Sequence, residues 1–291
     1  MKVDNFLDEC IEEYNRKTID YGNGQVEIVA HNSPQLRFIG TNHKSGNNSK
    51  SIISDEEQAR RSKQQMHAIR RRIKGIALCN NFNWFVTLTL NPEIVNSTDY
   101  DTVKTLLLKW IRLMRDRYGK FDYLLIPEFH KDRKKIHFHG LLNIEANFIK
   151  AKHKKTDKPI IRHGRPVYNL SDWGFGFSDC EMIVDKKKTV SYICKYISKE
   201  LINHKEMFRK KRYFNSQNLK RPKVEFSMND NDELKIFTPN YGVISTTDDG
   251  QNLIDVGIYN LTRNNKTGEL SQEDKNYLLK AKRDNQPDKN K

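Results

Sequence analysis

Apolar and polar positions change period several times along the chain. Trp84 to Leu90 reads Trp-Phe-Val-Thr-Leu-Thr-Leu, rich in β-branched and aromatic residues, and Asn91-Pro92 ends it, which predicts a strand. Val103, Leu106, Leu107, Trp110, Ile111 and Met114 then recur at helical spacing, with Ser97 or Thr98 as the cap and Gly119 as the stop. Tyr123 to His130 and Ile136 to Ile144 are two further strand-like runs, and the polar Asp132-Arg133-Lys134-Lys135 between them has hairpin spacing. A basic, turn-rich stretch with Pro159, Gly164 and Pro166 predicts a surface excursion within residues 146–172. A strand near Phe177 to Val184 and a helix from about Thr189 to Asn203 follow.

Strand, helix, strand, strand, excursion, strand, helix is the order of an α+β palm, an antiparallel sheet with helices packed against it. That core spans residues 82–204. Ahead of it, Ser54 and Glu57 form a capping box and Asp55, Glu56 and Glu57 suit a positive helix start. They predict a helix from about Asp55 to Lys74 within a basic segment, 51–81. Residues 1–50 read as an N-terminal extension ending in a linker, Gly40 to Lys50, with almost nothing to bury. Residues 205–291 read as a basic C-terminal extension of weak patterning, whose last ten or so residues are expected to be disordered. No internal repeat is present, and no phosphate-loop sequence ends in Gly-Lys-Ser or Gly-Lys-Thr, so no nucleotide cofactor is expected.

Charge narrows the partner. Lys and Arg total 52 against 37 Asp and Glu, a net charge of +15 with a pI near 9.5, which favours a polyanion. Arg60, Arg61, Arg70, Arg71, Arg72 and Lys74 on the first helix, and Lys211, Arg212, Lys220 and Arg221 after the core, are candidates for tracking a phosphate backbone. Cys10, Cys79, Cys180 and Cys194 show no paired spacing, as suits a reducing cytoplasm, and no segment reads as a membrane span or a secretion signal.

Two constellations carry chemistry. His137-Phe-His139 on a strand sends both imidazoles to one face and Phe138 to the other. With the hairpin centred near residues 133 and 134, Glu128 lies opposite His139 and His130 opposite His137, four donors on one patch. Imidazole with carboxylate suits a divalent ion such as Mn²⁺ or Mg²⁺ acting on a phosphodiester, whereas structural zinc would want more sulfur or histidine. On the last helix, Val190, Ile193, Cys194, Ile197 and Leu201 form an apolar stripe, and Tyr192, Lys195, Tyr196 and Lys199 form the opposite one. The core face is already filled by aliphatic residues, so the tyrosines are available as nucleophiles, with Lys195 and Lys199 favouring phenolate.

In order, Phe85-Val-Thr-Leu-Thr-Leu90, Pro127-Glu-Phe-His with His137-Phe-His139, and Tyr192-Ile-Cys-Lys-Tyr-Ile-Ser-Lys199 resemble the motifs of HUH endonucleases, the rolling-circle replication initiators of small phages and plasmids. The doubled tyrosine is similar to the initiators of microvirus-type phages. Trp173-Gly-Phe-Gly, Lys211-Arg-Tyr-Phe-Asn-Ser and Leu219-Lys-Arg-Pro222 resemble the phage and plasmid replication-associated group. The resemblance covers roughly residues 55–225 and implies an RRM-like or ferredoxin-like palm with flanking helices. It implies His137 and His139 as ligands of Mg²⁺ or Mn²⁺, Glu128 as the third ligand, and Tyr192 and Tyr196 as nucleophiles. It further implies nicking and rejoining of single-stranded or hairpin origin DNA through a 5′-phosphotyrosine, with a host helicase and polymerase, in a bacterial cytoplasm. Two other readings compete. A relaxase-like or transposase-like nuclease would use the same chemistry for mobilisation, and a non-catalytic DNA-binding replication factor would not need the ligand cluster.

Overall fold

The computed structural model describes residues 11–39, 54–129, 135–204, 207, 210–246, 252–273 and 278–281. They divide into two compact units, Ile52–Arg221 and a second built from both ends of the chain, Met1–Ser51 with Pro222–Lys291. The 40–50 linker, the last ten residues and residues 130–134, His130 among them, lie outside the described residues.

The unit made from the two ends is a sheet. β1 (Ile11–Asp20) and β2 (Gln25–Phe38) pair antiparallel, with Gly22 and Gly24 supplying positive φ in the connection. β12 (Lys223–Ser227) joins beside β1, and β14 (Asn252–Arg263) joins beside β2. β13 (Tyr241–Thr246), β15 (Leu270–Ser271) and β16 (Leu278–Ala281) complete it. Val26, Ile28, Leu234, Tyr259 and Leu261 form its small core. The sequence reading of both ends as extensions is therefore corrected. Strands such as β2 and β14 are separated by the whole central unit, and a pairing that distant leaves no local trace in the sequence.

Charge follows this division. Ile52–Arg221 holds 36 Lys and Arg against 18 Asp and Glu, a net +18, whereas the rest of the chain holds 16 against 19. The excess charge that favours a polyanion belongs to the central unit.

That unit begins with α1 (Asp55–Cys79) and β3 (Trp84–Leu90), then α2 (Tyr100–Tyr118), β4 (Asp122–Phe129) and β5 (Ile136–Asn143). The excursion gives β6 (Phe148–Lys150), β7 (Ile161–Arg162), β8 (Arg165–Pro166) and β9 (Tyr168–Leu170). β10 (Gly176–Met182), α3 (Lys186–Ile193), a 3₁₀ turn at Cys194–Tyr196, α4 (Lys199–Asn203) and β11 (Phe214–Asn215) follow. The sheet order is β11-β4-β5-β3-β10-β9-β6, with antiparallel pairings throughout.

Three expectations shift. α1 continues through Gly75 to Cys79, because Gly75, Ile76, Ala77 and Leu78 are all buried and that burial outweighs the roughly 1 kcal/mol a helical glycine costs. α2 is capped by Asp99 rather than Ser97 or Thr98; its carboxylate accepts from the Thr102 amide at 2.9 Å. The excursion is in part sheet: Phe148 of β6 stacks on Trp84 at 3.8 Å, and only β7–β8 stands apart, turning at His163 and Gly164 with φ of 50° and 74°. Among the described residues no helix is long and apolar enough to cross a membrane.

On one face of the sheet, Val86, Leu88 and Leu90 of β3 lie beside the buried Phe138 and Leu142 of β5. α2 is tied to that sheet through tryptophans: Trp110 meets Trp173 edge-on at 5.3 Å, and the Trp173 indole donates to the Thr89 carbonyl at 2.9 Å. Tyr100 at the start of α2 donates to the Lys211 carbonyl at 2.8 Å, and burial pushes its phenol up to about 12. An unfolded phenol ionises near pH 10, so between there and pH 12 the unfolded state holds fewer protons and stability falls as pH rises. Melting temperature should therefore drop steeply from pH 9 to 11. Tyr100→Phe should cost about 1 kcal/mol at neutral pH, for the lost hydrogen bond, yet make the alkaline drop shallower. An unchanged alkaline slope in that variant would show that Tyr100 does not stay protonated in the folded chain.

Candidate functional site

β5 runs between β3 and β4, and its side chains alternate. Phe138 and Leu142 occupy the buried face described above, so His137 and His139 fall on the other. Thr89 of β3 pairs with His137 and Thr87 with His139, and each hydroxyl lies 3.0 Å from the Nδ1 of its histidine. From β4, Glu128 stands opposite His137 and Ile126 opposite His139. The expected opposition of Glu128 to His139 is thus corrected by two residues, and His130 lies outside the described residues. A shift of one residue would have turned Glu128 to the wrong face; a shift of two keeps the face. Glu128 reaches across the diagonal, its Oε2 2.7 Å from His139 Nε2.

The tyrosine segment covers this face. α3 starts at Lys186, ahead of the expected Thr189, because Asp185 caps it by accepting from the Lys188 amide at 3.0 Å. After Ile193 the helix tightens into the 3₁₀ turn and breaks at Ile197, with ψ of 84°, before Ser198 caps α4. One expected helix is therefore two. Arg70 of α1 holds the break, its Nε donating to the Ile197 carbonyl at 2.8 Å. The apolar stripe is as expected, with Val190, Ile193, Ile197 and Leu201 buried, and Tyr192 and Lys195 are exposed. Lys199 lies beyond the break, on α4 rather than on the helix of Tyr192.

Tyr196 does not share the exposure of Tyr192. Its ring stacks on His139 at 3.6 Å and 7°, and Tyr192 meets it edge-on at 5.5 Å and 86°. Phe85 touches Tyr192 edge-on at 5.4 Å. Burial, then a hydrogen bond with Tyr192 and the Glu128 charge, push the Tyr196 phenol well above its ordinary value. Tyr192 is 47% exposed, with Lys195 Nζ 5.4 Å from its ring centre.

The donors fit a divalent cation in kind. With Nδ1 donating to a threonine hydroxyl, each histidine offers Nε2 as a ligand, the second-sphere arrangement that fixes a metal-binding tautomer. A threonine hydroxyl can accept or donate, so His139 can also keep its proton on Nε2 and give it to Glu128. They do not fit in convergence: among the described residues no three of His, Cys, Asp and Glu gather closely enough to enclose an ion.

The candidate phosphate-tracking cations divide. Arg60 and Arg61 are engaged by Glu57, whose carboxyl they hold down at about 2. Arg70 and Arg212 are committed to the backbone, Arg212 through the carbonyls of Met207, Lys210 and Ile202. Arg71, Arg72, Lys211, Lys220 and Arg221 are exposed, and Lys74 is half-buried. Sequence reasoning missed Thr87 and Thr89, although alternate threonines in a strand were a signal that one of its faces is polar. The framing motifs are architectural: Phe214 of Lys211-Arg-Tyr-Phe-Asn-Ser pairs with Leu125 of β4, and the Lys220 backbone is clamped by both polar atoms of the Asn80 amide.

Trp173-Gly-Phe-Gly braces the end of β3 behind Thr89. Besides the indole bond, the Asn91 amide donates to the Phe175 carbonyl at 2.9 Å, and a Cβ on Gly176 would collide with the Thr89 carbonyl and sit 2.6 Å from the Asn91 nitrogen. A Cβ on Gly174 would meet nothing within 4 Å. Gly176→Ala should thus lose about 1–3 kcal/mol of stability and displace the Thr89–His137 pair, while Gly174→Ala stays within about 0.5 kcal/mol of the parent. Denaturant unfolding of the two variants checks this, and equal stability would refute the brace.

Residues 83–201, less than half of the chain, match the family described as replication-associated protein ORF2. The matched segment runs from β3 through the tyrosines. No curated protein and no solved structure matches the chain.

Proposed function

We propose that the chain initiates replication by nicking and rejoining single-stranded origin DNA, with Tyr192 as the attacking group. The observation that supports this most is the meeting of Tyr192 and Tyr196 with His137, His139 and Glu128 on one sheet face, within the segment that matches the replication-associated family. Tyr192 is the exposed phenol, and the Lys195 ammonium beside it favours phenolate. Tyr196 is turned into the histidine stack and resists ionisation, so it serves this step by holding His139 and by hydrogen bonding to Tyr192.

Attack of Tyr192 Oη on the scissile phosphorus forms an O–P bond and breaks the P–O3′ bond. The phenol gives up a proton and the 3′ oxygen takes one, so the strand ends as a free 3′ hydroxyl and a 5′ phosphate on tyrosine. The phosphotyrosine conserves the ester for rejoining by the reverse displacement. Mg²⁺ or Mn²⁺ held by His137, His139 and Glu128 would supply Lewis acidity at the phosphate oxygens. A host polymerase would extend the 3′ end. With no phosphate-loop sequence in the chain, unwinding would come from a host helicase.

Single-stranded oligonucleotides tiled across the DNA that contains and flanks the gene, incubated with protein and Mn²⁺, should yield a cleaved product bound to protein at its 5′ end. Tyr192→Phe should abolish the adduct. Tyr196→Phe keeps the stack and loses one hydrogen bond, so its rate should fall by no more than about ten-fold. His137→Ala should stop cleavage while leaving most DNA binding. Cleavage without an adduct would overturn the tyrosine chemistry, and an inactive Tyr196→Phe with an active Tyr192→Phe would reverse the assignment.

A further inference from the structure

The sheet face that carries the histidines continues past β3 onto β10. Asp179 pairs with Thr87 and Glu181 with Phe85, so both carboxylates point to the histidine side. Above them an open cleft of about 590 Å³ lies between the β7–β8 hairpin and α3. Tyr192 and Lys195 line it from α3, and Arg165 lines it from the hairpin. The cleft thus begins at the exposed phenol.

Its floor is polarised. Arg162 of the hairpin donates to Asp179 at 2.8 and 3.1 Å and to Glu181 at 2.7 Å. One guanidinium between two carboxylates leaves the trio with a net charge of −1, inside a unit of net +18. A phosphate is repelled there and drawn instead toward Lys195 and Arg165 on the walls. A carboxylate has more lone pairs than Arg162 uses, so the floor presents acceptors held in fixed positions. Phe177 projects to the same face one alternation along β10 and is 59% exposed, a ring available for stacking.

We propose that this cleft holds one nucleotide of the single strand next to the scissile phosphate and reads its base through the Asp179–Arg162–Glu181 trio. That position rests on the function proposed above; the base reading does not. The trio offers carboxylate acceptors beside a guanidinium donor. Guanine is the base whose Watson–Crick edge answers with two adjacent donors, N1–H and N2–H, next to the acceptor O6. Cytosine and adenine each offer one amino donor, and thymine one imino donor between two carbonyls that the carboxylates repel. The order of preference is therefore guanine first and thymine last.

Binding tests this without cleavage, in chelator, using thymidine strands of about 15 nucleotides with a single central guanosine, adenosine, cytidine or no replacement. The full chain should bind the guanosine strand about five-fold or more tighter than the all-thymidine strand. Asp179→Asn with Glu181→Gln should erase that preference while leaving affinity for all-thymidine unchanged or higher, since negative charge is removed. Arg165→Ala, at the exposed hairpin, should weaken every strand alike and lower the salt slope by about one. Equal binding of all four strands by the parent, or a preference that persists in the folded double variant, would overturn the proposal. A preference without any protein–DNA adduct would sink the nickase reading and keep the base-reading cleft, whereas an adduct without a preference would do the reverse.

Discussion

β5 is paired on both sides, and its central Gly140 fixes how closely. A Cβ there would lie 2.7 Å from the Leu124 carbonyl, so only glycine lets β4 come this near. That approach brings Glu128 within hydrogen-bonding distance of His139 from one side while Thr87 and Thr89 hold the imidazoles from the other. Because Phe138 and Leu142 must be buried, the histidines have no choice of face. The site's first requirement is thus met by the pairing of three strands, before any helix is placed.

The helical side then separates two tyrosines that the sequence presents as equivalent. One turn apart on an unbroken helix, both phenols would face outward. The 3₁₀ tightening after Ile193 and the break at Ile197, held by Arg70, are accompanied by the Tyr196 ring lying flat on His139 with Tyr192 edge-on at the rim. Desolvation then makes Tyr196 the worse phenolate and leaves Tyr192 beside Lys195 the better one. An asymmetry of environment, rather than of residue type, distinguishes the two.

The central unit was largely legible because its elements announce themselves locally. β3 has the bounds its composition predicts, and α2 stops at Gly119, whose φ of 79° only glycine adopts readily. The face shared by His137, His139 and Glu128 follows from alternation alone, and it holds under a register shifted by two. What was hidden depends on contacts between distant positions. The sheet that joins β2 to β14 has no sequence signature, the helix break at Ile197 is capped by a side chain 127 positions away, and the polar use of Thr87 and Thr89 appears only when β5 is laid beside them.

Charge placement carries the argument one step further. A chain at +15 could bind nucleic acid anywhere, but the central unit holds all of the excess and the unit built from the ends is slightly acidic. Phosphate contacts act over a Debye length of about 8 Å at physiological salt, so attraction is felt where cations are exposed. Within the central unit, Arg60, Arg61, Arg70 and Arg212 are already committed to Glu57 or to backbone carbonyls. Net charge counts these four as available when their geometry is fixed by the fold. The cations left exposed, Arg71, Arg72, Lys195 and Arg165 among them, include two that line the cleft beside Tyr192. A strand drawn in by the unit's field therefore has cations waiting at the exposed phenol, and the acidic trio on the floor turns its bases, rather than its phosphates, toward β10.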